Sequence, residues 1–265
     1  GPTMTEATAA VEDSGAPAIL DTKDVVDMFK QCNLAVYAEA RREFYREVSL
    51  NPFKPHPEGL LRMIEWQFWD WFSFDCSISD IGLTGDEGSD MRVELVHNKD
   101  NGISPFRAMA EYMYAVDPQV GERKLQDFRD IDDTNFASMF WLKDANAVKG
   151  IMTVEDLING GVYDLVSPQA AKYDGARGGL IVNRIARVRG KWQGCAIPIY
   201  EAHRPDDLKT GESIARSFRQ SGYRPDFPGL VRFFYGRAKD TGLDWEETVA
   251  AQKAGILNQL IEQAR

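Results

Sequence analysis

Cysteine is scarce and scattered. Cys32, Cys76 and Cys195 are odd in number and far apart, which excludes a disulfide framework and any close-spaced zinc set, and free thiols in a reducing compartment are the expectation. The histidines, His56, His97 and His203, are equally dispersed, without the spacing that metal ligands need. Neither a metal nor a cofactor is therefore expected. No apolar run approaches the ~18–20 residues of a membrane-spanning helix, and no charged-then-apolar leader opens the chain. A cytoplasmic location with no membrane partner follows as the expectation. Positive charge is also short: 31 Lys and Arg against 41 Asp and Glu give a net charge of −10. Such a field repels nucleic acid and anionic membranes. Absent, too, are a Walker loop, a Gly-x-Ser-x-Gly elbow and a His-Glu-x-x-His pair.

What is present is ordinary globular material. With 43% hydrophobic and 27% charged residues in 265, the chain can build a sizeable core as one large domain or two smaller ones. Gly1-Pro2-Thr3 before Met4 read as a cleavage remnant and carry no fold information. Residues 1–20 read as a disordered lead-in. Val25, Met28, Phe29, Cys32, Val36, Ala40 and Phe44 then recur at helical spacing and predict one helix of about six turns. Asn51 to Pro57, with its prolines, stops it. Leu60–Phe74 is the densest aromatic block, containing Trp66, Phe68, Trp69, Trp71, Phe72 and Phe74. At helical spacing this reads as a core helix rather than a stacking platform. Residues 79–103 read as a loop with one short strand from Met91 to Val96. Ser104-Pro105 starts a helix running to about Val116, and Pro118–Asp130 is a second, shorter one.

From Phe136 the period changes. Phe136–Leu142, Gly150–Val154, Gly161–Val166, Gly179–Val188 and Trp192–Tyr200 are short alternating or β-branched runs separated by turn residues. They predict a small antiparallel barrel-like module, with the hairpin through Gly190 as its clearest element. Helices return over Asp206–Gly222 and Pro228–Lys239. Asp244-Trp245-Glu246-Glu247 opens a last helix with Val249, Ile256, Leu257, Leu260 and Ile261 on one face. The expected fold is α+β: a helical part over 21–130, a β module over 131–203 and a C-terminal helical segment over 204–265.

The segment Phe68-Trp69-Asp70-Trp71-Phe72-Ser73-Phe74-Asp75 resembles the Trp-Phe-x-Phe-Asp block of bacterial proteins associated with the SEC-C motif. Matching pieces of the β module that follows are Phe140, Gly150, Val154-Glu155-Asp156-Leu157, Gly178-Gly179-Leu180, Arg184 and Gly190-Lys191-Trp192. The family's Cys-rich zinc tail is missing, so no zinc-dependent docking carries over. The resemblance implies this fold and no settled enzymatic activity.

Candidate sites are few. Asp130, Asp132 and Asp133 have the oxygen ligands a divalent cation takes, but an acidic turn is ordinarily solvated surface. His203-Arg204-Pro205-Asp206-Asp207 reads as a surface turn. Gly178-Gly179 precedes a strand, whereas phosphate loops precede helices. The remaining signal is a basic run, Arg184, Arg187, Arg189 and Lys191, with no acid among them. It predicts either an anion-binding strand face or a solvated face paired with the protein's own carboxylates. The leading expectation is a non-enzymatic interaction protein with a protein partner, bound through the β module or the C-terminal helices. A nucleic-acid-associated protein using the basic strand is the second, and a hydrolase with an unrecognised site the third.

Overall fold

The computed structural model describes residues 17–51, 53, 55, 56, 59–79, 82–83, 91–92, 95–96, 102–202 and 210–236. Residues 1–16 of the lead-in read over 1–20, His97, the His203–Asp207 turn and the last helix beyond Gly236 lie outside the described residues; the end of that lead-in is not disordered, since Leu20 is buried and the Ala18 amide donates to Asp127. The fold is α+β, with helices on both sides of the β module in the chain.

Helices α1 (Thr22–Cys32) and α2 (Leu34–Glu47) replace the single long helix that periodicity predicts. The break is Asn33. Its extended backbone (φ −153°) donates to the Phe29 carbonyl, ending α1, while its side chain accepts from the Val36 amide and starts α2. A short amide side chain that bonds locally competes with continuous helix. The apolar stripe nevertheless continues, with Val25, Phe29, Val36, Ala40 and Phe44 buried; Cys32 is exposed. Helix α3 (Leu60–Phe74) carries the aromatic block. Phe68, Trp71, Phe72 and Phe74 are buried, whereas Trp66 and Trp69 are half-buried. Phe44, Phe68 and Phe72 meet ring to ring at its centre.

Two-residue strands β1 (Ser77–Ile78), β2 (Gly82–Leu83), β3 (Met91–Arg92) and β4 (Leu95–Val96) pair as β1–β4 and β2–β3 in the segment read as a loop. Helix α4 (Pro105–Val116) starts as its Ser-Pro signal predicts, with the Ser104 hydroxyl accepting from the Arg107 amide. Helix α5 (Glu122–Thr134) follows. Beyond the β module, α6 (Gly211–Ser221) and α7 (Phe227–Gly236) close the described chain.

Strands β5 (Phe136–Asn146), β6 (Ile151–Asp156), β7 (Val162–Val166), β8 (Gly179–Val188) and β9 (Lys191–Gly194) form a closed ring in the order β5-β6-β7-β9-β8, with β10 (Ile199–Ala202) appended to β8. The ring is not purely antiparallel. Leu165 and Val166 of β7 run parallel to Trp192 and Gln193 of β9, and this pairing closes it. Strand β8 makes closure possible by being long. One edge pairs with β5 from Leu180 to Ile185, while the other pairs first with β10 and then with β9.

Alternation gives β8 two interiors. Ile181 and Ile185 face the inside of the ring, with Phe140, Leu142, Val154 and Leu165. Leu180, Val182, Ala186 and Val188 face the helices and join the same core as Phe29, Phe68 and Phe72. The strand is a wall common to both.

Candidate functional site

The structure separates the basic run. Arg184 sits on the helix-facing side of β8 and is 2% exposed. Its Nε donates to Asp70 Oδ1 at 2.7 Å, and its terminal nitrogens reach Asp75 at 2.7 and 3.1 Å and the Asn135 side chain at 3.0 Å. The Phe74 and Phe227 rings lie against the guanidinium. A strand face shared by Arg184 with the other cations is therefore corrected: this arginine joins barrel to helices and is inaccessible to a partner. Burial raises the Asp70 carboxyl from 3.8 to about 6, against the pull of Arg184 and with the push of Asp75. Burial works against the charge on Arg184 as well, but Asp70 and Asp75 outweigh it and hold the guanidinium above its ordinary value. The backbone carbonyl of Arg184 also accepts from the Cys195 amide, and burial pushes the Cys195 thiol up.

Arg189 occupies the β8–β9 turn, not a strand. Arg189 and Gly190 have φ of 52° and 77°, the two positive values that a I′ two-residue hairpin requires. From there Arg189 reaches back to α5 and donates twice to Asp127, at 3.1 and 2.8 Å. Asp127 is 1% exposed and also accepts from the Ala18 amide. Arg187 is exposed, opposite Trp192 in register. Lys191 is exposed. Among the described residues, neither makes an ion pair. Of the basic run, then, Arg187 and Lys191 keep free charge.

Lys191 and Arg189 border a cleft of about 950 Å³ at the open corner of the ring, where β8 passes from β10 to β9. Its other walls are the segment from Val166 to Tyr173, the Ala196-Ile197-Pro198 link into β10, and Pro17 and Ile19 from the chain start. Lys172 lies on the rim, and the Tyr173 and Tyr200 rings meet beside it, tilted by 44° with centroids 4.6 Å apart. Among the described residues no Asp or Glu lines this cleft, although the chain carries 41 acids. The charge assembled there is Lys172 and Lys191, with Arg189 held by Asp127. A second hollow, of about 700 Å³, runs along α2 beside Arg41, Arg42 and Arg46. There Arg41 is tied to Glu65, and α2 also carries Glu39, Glu43 and Glu47, so the helix gathers no net positive charge.

The other candidates are tied into structure. Asp132 accepts from the Ser104 hydroxyl and Arg107, Asp133 pairs with Arg107, and Asp130 accepts from Gln126. Among the described residues no three His, Cys, Asp or Glu are grouped to hold a metal. His56 Nε2 meets the Asn51 carbonyl, and Cys76 and Cys195 are buried. No helix among the described residues is long and apolar enough to cross a membrane.

Sequence reading missed Asp70, Asp75 and Asp127 as partners, because pairs 114, 109 and 62 residues apart leave no local trace. It also missed Lys172, Asn183 and Gln193. One signal was available: no acid falls between Asp174 and Glu201, and that stretch supplies much of the cleft. No family model matches the chain, and neither a curated protein nor a solved structure matches it. The resemblance to SEC-C-associated proteins thus stands on its motif residues alone.

Proposed function

We propose that this chain is a non-enzymatic interaction protein whose β module receives an acidic segment of a protein partner in the cleft between the β7 end, β9 and β10. The observation that carries this reading is the cleft's charge: among the described residues, two lysines without carboxylate partners and no acidic wall, in a chain of net charge −10. A cleft of one sign between low-dielectric walls focuses its field, and screening over about 8 Å at physiological salt limits what distant carboxylates cancel. The lining suits a peptide, since Pro17, Ile19, Val166, Pro168, Ile197 and Pro198 give apolar walls.

A nucleic-acid role is the second reading. The closed five-strand ring favours it, because partly open five-stranded barrels bind oligonucleotides on one face and its loops. Titration of labelled poly-L-glutamate and of a single-stranded oligothymidine against the protein and its Lys172→Glu/Lys191→Glu variant tests both. Salt-sensitive glutamate binding lost in the variant supports the proposal. Preference for oligothymidine with a steep salt slope transfers the role to nucleic acid. Binding that is indifferent to the charge reversal removes the cleft as the site.

A further inference from the structure

The start of the chain joins the body of the protein at the cleft. Pro17 and Ile19 form part of its wall. Between them the Ala18 amide donates to Asp127 Oδ2 at 3.2 Å, the carboxylate that also holds Arg189, and Leu20 is buried in the helical core. The point from which residues 1–16 lead away is thus fixed at the cleft by a hydrogen bond and an apolar anchor. The sequence on that side carries charge of one sign. Glu6, Glu12 and Asp13 are its ionisable side chains, and no Lys or Arg precedes Lys23. Ala9-Ala10-Val11 sets apolar residues directly before the Glu12-Asp13 pair, which complements two lysines between apolar walls. Fully extended, the four residues from Pro17 back to Asp13 span up to about 14 Å, enough to reach across a cleft of about 950 Å³.

We infer that in the free protein the cleft is occupied by the chain's own acidic segment, with Glu12 and Asp13 set against Lys172 and Lys191, and that an acidic partner binds by displacing it. This rests on the cleft reading above. A tether of a few residues holds the two carboxylates at an effective concentration on the order of millimolar, so even weak pairing keeps the site filled. The segment then lowers the apparent affinity of every external acidic ligand in proportion to the time the cleft is taken. A partner has to offer more carboxylates or better apolar contacts than Val11-Glu12-Asp13, and short acidic stretches are turned away. The segment is in this sense the cleft's specificity filter.

The test titrates pentaglutamate at low salt against the full chain, its neutralised variant Glu6→Gln/Glu12→Gln/Asp13→Asn, and Lys172→Glu/Lys191→Glu. Neutralisation is expected to tighten pentaglutamate binding about three- to tenfold. A control, Glu39→Gln/Glu43→Gln/Glu47→Gln, makes the same change in net charge on α2, none of whose residues line the cleft, and should shift the affinity by less than about twofold. Carbodiimide, which joins a carboxylate to an amine in contact with it, should link Glu12 or Asp13 to Lys172 or Lys191 within one chain, and pentaglutamate should suppress that link. Unchanged affinity on neutralisation, equal tightening in the control, or links formed only between two chains would overturn the inference while leaving the cleft in place. No pentaglutamate binding by the neutralised variant, or binding indifferent to the lysine reversal, would instead remove the cleft reading, and this inference with it.

Discussion

Arg184 on β8 and Asp70 on α3 meet at 2.7 Å, both almost wholly out of solvent, at 2% and 3% side-chain exposure. Asp75 completes the cluster from the end of the same helix. The aromatic block and the β module, read as separate pieces of sequence, are thus bolted together by one guanidinium.

Removing that guanidinium strands a buried carboxylate. Arg184→Met is expected to cost about 3–5 kcal/mol in urea unfolding, whereas Arg187→Ala, on an exposed position, should fall within about 0.5 kcal/mol. Similar midpoints for the two variants would place Arg184 at the surface.

The Asp70 carboxyl gives a pH signature with a definite sign. Its folded value, about 6, lies above the ordinary 3.8, so the folded state holds the proton more tightly than the unfolded chain does. That contribution is complete below pH 3.8, falls as pH rises and is gone above about 6; two units correspond to about 3 kcal/mol. Asp70→Asn lacks this titration. The stability of wild type minus that of Asp70→Asn should therefore shrink by a figure of that order between pH 4 and pH 7, measured by denaturant melts across the range. A difference that grows with pH would show that Arg184 outweighs burial.

Arg189 and Asp127 should be coupled. A double-mutant cycle of Arg189→Gly and Asp127→Asn is expected to return about 1–3 kcal/mol, since glycine keeps the positive φ of the turn and the cycle isolates the ion pair. Additive effects would mean that Asp127 does not need this partner.

Within the aromatic block, depth separates the residues. Phe72→Ala, at a fully buried ring, should cost about 3–5 kcal/mol, and Trp69→Ala, at a half-buried one, clearly less. The comparison is made by thermal melts. Equal losses would mean that Trp69 is as enclosed as Phe72.

Much of the fold is legible in sequence because it is local. Turn residues and alternation locate β5 to β9, and Arg189-Gly190 marks its hairpin, since two positive-φ positions restrict what can occupy them. Ser104-Pro105 sets the start of α4 by the same kind of short-range chemistry. Asn33 shows the limit: a continuous apolar stripe across it reads as one helix, because burial pattern ignores a single side chain that caps in both directions. The parallel β7–β9 pairing is non-local and has no sequence mark. The basic run misled for a related reason. Charge is visible in a sequence, but whether an arginine faces water or a carboxylate more than a hundred residues away is decided by packing. In the cleft, a deficit of acids carried more information than the surplus of bases.

Strand β8 presents one face to the ring interior and the other to the helices, and this determines how the molecule comes apart. A chain cut near residue 135 would leave Leu180, Val182 and Val188 uncovered on one fragment and Asp70 without its counter-ion on the other. Helices and ring should consequently melt in a single cooperative transition, with one set of amide-exchange protection spanning both, and a protease acting on the native protein should find no resistant half.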